Sequence, residues 1–146
     1  MLGTLARWLR ITGFDAEYRR DADDEDLLGE AEASGRVLLT KDRALTARAA
    51  KRSIRVLLVE GEDDSAQLGM VARSLSLGLD PSNSRCPKCN GNLVWAEKKL
   101  IGDQVPEASL NAFEDFWVCE DCGSVFWRGS HWSQIVSTLE KAAREV

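Results

Sequence analysis

The period of the hydrophobic positions changes several times along the chain, and each change marks an element. Leu2, Leu5, Ala6 and Leu9 recur at helical spacing, which predicts a helix over residues 3–12 with Gly13 as its stop. Arg7 and Arg10 stand three apart and are expected on one face of it. Residues 14–18 alternate apolar and polar side chains, the pattern of a short strand. An acidic run at residues 21–26 leads into a second helix, with Leu27, Leu28, Ala31 and Ala33 inward and Gly35 at its end. Acidic residues in a first helical turn complement the dipole there. Val37, Leu38 and Leu39 form an apolar run without alternation, as in a strand buried on both faces of a parallel sheet. The run stops at Thr40-Lys41-Asp42, and a helical pattern through Ala44, Leu45, Ala47, Ala49 and Ala50 predicts a helix over residues 43–52. A third strand is expected at residues 54–59, and Asp63-Asp64-Ser65 can cap a helix over residues 65–77.

This order of strands and helices implies an α/β fold with a parallel sheet and right-handed crossovers. Doubly wound sheets open with a strand that feeds the first helix, and here that first strand is missing: the chain starts inside the motif. Residues 78–84 read as a linker. Beyond it the pattern changes. Cys86 and Cys89 form one Cys-x-x-Cys knuckle, Cys119 and Cys122 a second, each beside short strand material, with 29 residues between the pairs. That span holds an expected strand at residues 93–97, a polar loop with Pro106, and the first strand of a second hairpin. Residues 132–146 read as a helix with Trp132, Ile135, Val136, Leu139 and Ala143 on one side. The expected organisation is an α/β domain over residues 1–80 and a small C-terminal zinc ribbon over residues 85–146.

Composition narrows the function classes. At 146 residues the chain fits one domain, or one domain with a metal-stapled appendage. No apolar run approaches the roughly 18 residues of a membrane span. The first residues are amphipathic and interrupted by charge, unlike a secretory signal, so a cytoplasmic protein without a membrane partner is expected. The net charge of −5 argues against strong non-specific nucleic-acid binding. It leaves room for an enzyme that holds nucleic acid through a local basic patch and bridging metal ions.

Two matched Cys-x-x-Cys knuckles point to zinc rather than to disulfides or a redox pair. Four thiolates leave no open coordination position, so this Zn²⁺ is expected to be structural. Metal binding would supply much of the folding energy of so small a ribbon. The acidic residues are less specific. Phosphodiester hydrolysis with two Mg²⁺ or Mn²⁺ ions needs several carboxylates around one pocket. Asp24, near a helix start, and Asp42, at the carboxyl end of a strand where α/β folds bind ligands, can converge there. Asp23, Glu25 and Asp26 compete with Asp24, and Asp42 can equally serve as a helix cap. Arg7, Arg10, Lys41 and Arg43 are candidate phosphate contacts, against a plain reading as solvated helix surface. His131, the one histidine, can bind metal or RNA or cap the last helix; the structural role is the expected one.

Several stretches together resemble a known family. They are residues 2–10 (LGTLARWLR), 13–15 (GFD), 24–28 (DEDLL), 35–43 (GRVLLTKDR), 85–91 (RCPKCNG), and the segment from Phe116 through Cys119 to His131 and Trp132. In this order they resemble the PIN-like ribonuclease family named after the C-terminal domain of the nematode exonuclease Mut-seven. The resemblance implies a PIN-like sheet with flanking helices, followed by a zinc ribbon. It implies metal-dependent RNA cleavage by an acidic cluster, here Asp24 and Asp42, with RNA as partner and Mg²⁺ or Mn²⁺ as catalytic ion. Asp24 is favoured over Asp23 because the family's acidic residue stands three before the first leucine, here Leu27. Zinc would be held by Cys86, Cys89, Cys119 and Cys122, and the aromatic-rich ribbon would help seat RNA by stacking. The family's usual first strand, which ends in an Asp just ahead of the Met matching Met1, has no counterpart here. A sheet lacking it would expose an edge that invites a homodimer. The alternative expectation is a catalytically degenerate RNA- or protein-binding module on the same fold; a toxin-like nuclease is a lesser one, since a ribbon is not typical of those.

Overall fold

A computed structural model describes residues 2–144. The chain divides into two compact units. Among its described residues, the first comprises residues 2–5, 18–78 and 142–144. The second comprises residues 6–17 and 79–141. The first helix, α1 (Gly3–Ile11), therefore contributes its opening residues to one unit and the rest to the other. It buries Leu5, Ala6 and Leu9, as its stripe predicts. It ends where expected: Gly13, at φ +90°, donates its N–H to the Arg10 carbonyl, and a Cβ there would stand 2.8 Å from the Asn83 carbonyl oxygen.

In the first unit α2 (Asp24–Ser34) begins at an Asp23 cap whose carboxylate accepts from the Asp26 N–H, and it ends at a left-handed Gly35. The cap and stop are both local chemistry. β1 (Leu38–Thr40) pairs in parallel with β2 (Val56–Leu58), Leu38 opposite Val56 and Thr40 opposite Leu58, and α3 (Arg43–Lys51) is the crossover between them. α4 (Asp64–Leu75) is capped by Asp63, which accepts from the Ala66 N–H. Leu28, Ala31, Leu38, Leu45, Ala49 and Ile54 form one buried cluster with Leu27 and Val56 against it. Each fully buried leucine in such a cluster contributes about 1.5–3 kcal/mol. Ala33, expected inward, is exposed.

The sheet of this unit has two strands among the described residues, not the three expected. Residues 14–18 are irregular, and the reason is visible at Ala16. Its carbonyl accepts from Arg10 Nε at 2.7 Å and its N–H donates to Asn90 Oδ1 at 3.1 Å. Side chains have taken the backbone groups a ladder would use. The fold is mixed α/β with a short parallel sheet.

The second unit carries an antiparallel sheet in the order β3 (Leu93–Ala96), β4 (Phe116–Cys119), β5 (Val125–Trp127). Leu93 faces Cys119, and Phe116 lies between Ala96 and Trp127. The expected polar loop between β3 and β4 is instead helical: α5 (Lys98–Ile101), a 3₁₀ turn (Gly102–Gln104) and α6 (Glu107–Ala112). Ile101 and Val105 from this stretch join Ala96 and fully buried Phe116 in a core flanked by Leu110 and Phe113. Its polar residues are the outer side of a core segment. The last helix, α7 (Trp132–Arg144), buries Leu139 and Ala142, while Ala143, expected inward, is exposed. Met1 and residues 145–146 of the expected elements lie outside the described residues. No helix among the described residues is long and apolar enough to cross a membrane.

Candidate metal centre and acidic site

The four cysteines converge through two tight turns. In the first, Cys86 N–H donates to the Gly91 carbonyl and Asn90 N–H returns a bond to the Cys86 carbonyl, both at 2.8 Å. In the second, Gly123 N–H donates to the Cys119 carbonyl at 3.0 Å, and Cys119 N–H to the Ser124 carbonyl at 2.9 Å. The N–H groups of Asp121 and Cys122 both point at Cys119 Sγ, at 3.4 Å. The pairing of β3 with β4 brings the turns together. All four Sγ atoms lie within 4.8 Å of one another; Cys86 and Cys122 are 3.7 Å apart, Cys89 and Cys119 3.4 Å. Tetrahedral zinc with Zn–S bonds of 2.3 Å separates its sulfurs by about 3.8 Å. The donor set fits zinc in number, type and spacing, and the four cysteines form no disulfide.

Glycine is required at position 91. A Cβ there would stand 2.8 Å from Cys119 Sγ and 2.6 Å from Asp121 Oδ2. The four thiols are unlike one another. Donors from Ser124 bring Cys122 down to about 6. Cys89, hydrogen-bonded to the Cys119 sulfur, is pushed up to about 12, and burial raises Cys86. A divalent cation would replace this unequal sharing of protons by four thiolates.

Behind the first turn stands a polar clasp that periodicity does not reveal. Arg10 is buried, 7 % exposed, and its guanidinium donates to the carbonyls of Ala16 and Pro87 (3.0 Å), with a longer contact to that of Lys88 (3.5 Å). Asn90, at φ +73°, donates to Asp15 Oδ1 at 2.7 Å while its Oδ1 accepts from Ala16 and Arg85. Of the two arginines expected on one helix face, Arg10 is thus engaged in the knuckle and Arg7 is exposed. The nearest sequence signal for Asn90 is its place directly after Cys89 and before Gly91.

The acidic residues belong to the first unit and are exposed. Asp42 follows β1 directly and caps α3: its Oδ1 accepts from the N–H groups of Ala44 and Leu45 at 2.8 and 3.2 Å, and Oδ2 makes no hydrogen bond among the described residues. Asp23 spends Oδ1 on the α2 cap. Asp24 pairs through Oδ2 with Arg48 at 3.4 Å, and Arg48 also binds Glu25. Glu25 and Glu32 share Arg52. Arg43 lies 3.9 Å from Glu60, and Lys41 is exposed. Among the described residues, the cysteines form a cluster of three or more metal-binding side chains; the acidic residues, Asp24 and Asp42 included, form none. His131 precedes α7; its carbonyl accepts from Ile135 N–H at 3.1 Å and its side chain is exposed.

The sequence model of the Mut7-C RNAse domain matches residues 1–139, nearly the whole chain. The chain belongs to the Mut7-C RNAse domain family. No curated protein and no solved structure matches it. Membership points to ribonuclease chemistry with RNA as the substrate, and the cysteine cluster adds a zinc-ribbon-like centre.

Proposed function

We propose that the chain is a metal-dependent ribonuclease on a PIN-like fold, hydrolysing RNA phosphodiester bonds, with a nuclease part over residues 1–80 and a structural zinc ribbon over residues 85–146. The family match over residues 1–139 carries the reading. In it, Asp42 and Asp24 hold Mg²⁺ or Mn²⁺, which when bound activates water and stabilises the leaving oxygen. Asp42 sits at the carboxyl end of a parallel strand, the edge where α/β folds place their ligands, and its unshared Oδ2 is available to a cation. Asp24 likewise has one oxygen outside its ion pair. Lys41 and Arg43, in the first unit, and Arg7, in the second, each contact RNA phosphates. Arg10, held by the carbonyls of Ala16 and Pro87, braces the first cysteine turn rather than contacting phosphate. A reducing compartment, the cytoplasm, keeps the four thiols available. A homodimer through the free edge of the β1–β2 pair belongs to the same proposal, and sedimentation tests it.

The experiment is cleavage of a labelled RNA by the zinc-loaded chain with Mn²⁺, beside Asp42→Asn and Asp24→Asn. Asparagine caps a helix as well as aspartate does, so Asp42→Asn removes charge while keeping the fold. Each variant should lose about two orders of magnitude or more in rate. Undiminished cleavage by both would reject the assignment. A second reading is a catalytically degenerate RNA- or protein-binding module. It is favoured by the structural duties of the acidic side chains, as caps and ion pairs. Metal-independent RNA binding without cleavage by the parent chain is its expected result.

A further inference from the structure

A cavity of about 490 Å³ lies within the second unit. Sites for small ligands span about 300–1,000 Å³. Neither the cysteines nor Asp24 and Asp42 line it. Its walls combine two chemistries. Trp117, Phe126, Trp127 and Trp132, all half-buried, offer flat π-faces. Arg7, Lys88 and Arg128, all exposed, offer positive charge, and no Asp or Glu lines the cavity. In a chain of net charge −5 this is a local inversion of sign.

Arg128 joins the two chemistries. Its guanidinium carbon lies 4.6 Å from the ring centroid of Trp132 and 5.3 Å from that of Trp117. Two indoles hold the cation by cation–π attraction, at less entropic cost than a free arginine would incur on binding. Its N–H donors make no hydrogen bond, and none of the three cations forms an ion pair, among the described residues. Asp80 feels the Arg128 charge, but its carboxyl is held low chiefly by Ser82, whose N–H and Oγ both donate to Oδ1 at 3.0 and 2.5 Å.

We propose that this cavity binds one unpaired nucleotide of single-stranded RNA, its base stacked on the aromatic wall and its phosphates met by Arg128, Arg7 and Lys88. Aromatic faces accept any base, so the site discriminates by strandedness rather than sequence. In a duplex both faces of each base are covered by neighbours, and such a site has nothing to stack on. The inference rests on the ribonuclease reading only in taking RNA as the polymer; it needs no cleavage.

The test is fluorescence anisotropy of a labelled short oligouridylate with zinc-loaded protein, without Mg²⁺ or Mn²⁺, so that no cutting occurs. Arg128→Ala and Trp132→Ala should each weaken binding about ten-fold or more, and Arg128→Lys should fall between. Arg7→Ala and Lys88→Ala should each flatten the logarithmic salt dependence by about 0.7. Lys99→Ala, on an exposed residue outside the cavity, should bind as the parent does. One bound zinc per chain verifies folding of each variant. Full affinity in both Arg128→Ala and Trp132→Ala overturns the proposal. Duplex RNA bound as tightly, with the same sensitivity to the variants, overturns it as well. The two readings fail separately: loss of cleavage with pocket-dependent binding intact removes only the nuclease, and cleavage with affinity indifferent to the pocket removes only the nucleotide site.

Discussion

The cysteine turns of the second unit and the carboxylates of the first represent two ways of presenting ligands. Cys86, Cys89, Cys119 and Cys122 are held by backbone bonds inside their own turns, with a glycine at 91 that no larger residue can replace without meeting Cys119 Sγ. Local geometry leaves their sulfurs little else to do. Asp23, Asp24 and Asp42 have occupations already, as caps of α2 and α3 and as the partner of Arg48. A cysteine knuckle is single-purpose. A carboxylate at a helix start serves the fold first and has only its second oxygen left for chemistry.

The comparison can be broken most decisively by removing the metal. Structural zinc in small fingers supplies about 10–16 kcal/mol of folding energy. Chelation, or Cys86→Ser, should therefore abolish the near-ultraviolet circular dichroism of the ribbon's tryptophans. Survival of that signal after stoichiometric zinc release would show that the core around Phe116 stands alone. The next effect belongs to α1. Arg10→Ala strands buried carbonyls behind the knuckle and should cost about 2–3 kcal/mol, whereas Arg7→Ala on the exposed side should stay within about 0.5 kcal/mol. Urea unfolding of the zinc-loaded proteins measures both, and equal midpoints would dissolve the distinction. Asp42→Ala should cost about 1 kcal/mol through the lost cap, and Asp42→Asn close to nothing. Thermal melts of the pair would thus separate structural from catalytic service. The smallest effect is at Glu32, whose carboxyl is lowered mainly by its hydrogen bond from Arg52. A lowered folded-state value stabilises above the ordinary carboxylate range, and that stability is lost as pH falls through the lowered value. The pair is exposed, so Glu32→Gln should reduce the urea midpoint slightly at neutral pH and leave it unchanged in acid.

Local signals were legible in the sequence. The knuckles, the Asp caps at 42 and 63 and the stops at Gly13 and Gly35 depend on neighbours a few residues away, and so does the period of each helix. The strand expected at residues 14–18 failed because its hydrogen-bonding groups were claimed by Arg10 and by Asn90, 74 positions beyond Ala16. No periodicity encodes that claim. The stretch around Pro106 read as loop because its core residues, Ile101, Val105, Leu110 and Phe113, are spaced too widely among polar neighbours to declare a period. Arg7 and Arg10 read alike because spacing gives a face but not what covers it. Arg128 and Lys88 gave no signal in isolation; the alternation of aromatic and basic residues at Trp127-Arg128-Gly129-Ser130-His131-Trp132 was the available hint.

The bond between Asn90 and Ala16 also sets an order in time. The second unit is split in sequence, with residues 18–78 of the first unit lying between its two parts. A ribosome adding about 5–20 residues per second needs roughly 4–15 s to travel from residue 16 to residue 90. Through that interval residues 14–17 lack the partner that later holds them, while residues 18–78 of the first unit are being added. The clasp on residues 14–17 therefore waits for Asn90, and a zinc ion that fixes the Asn90 turn waits longer still, for Cys119 and Cys122.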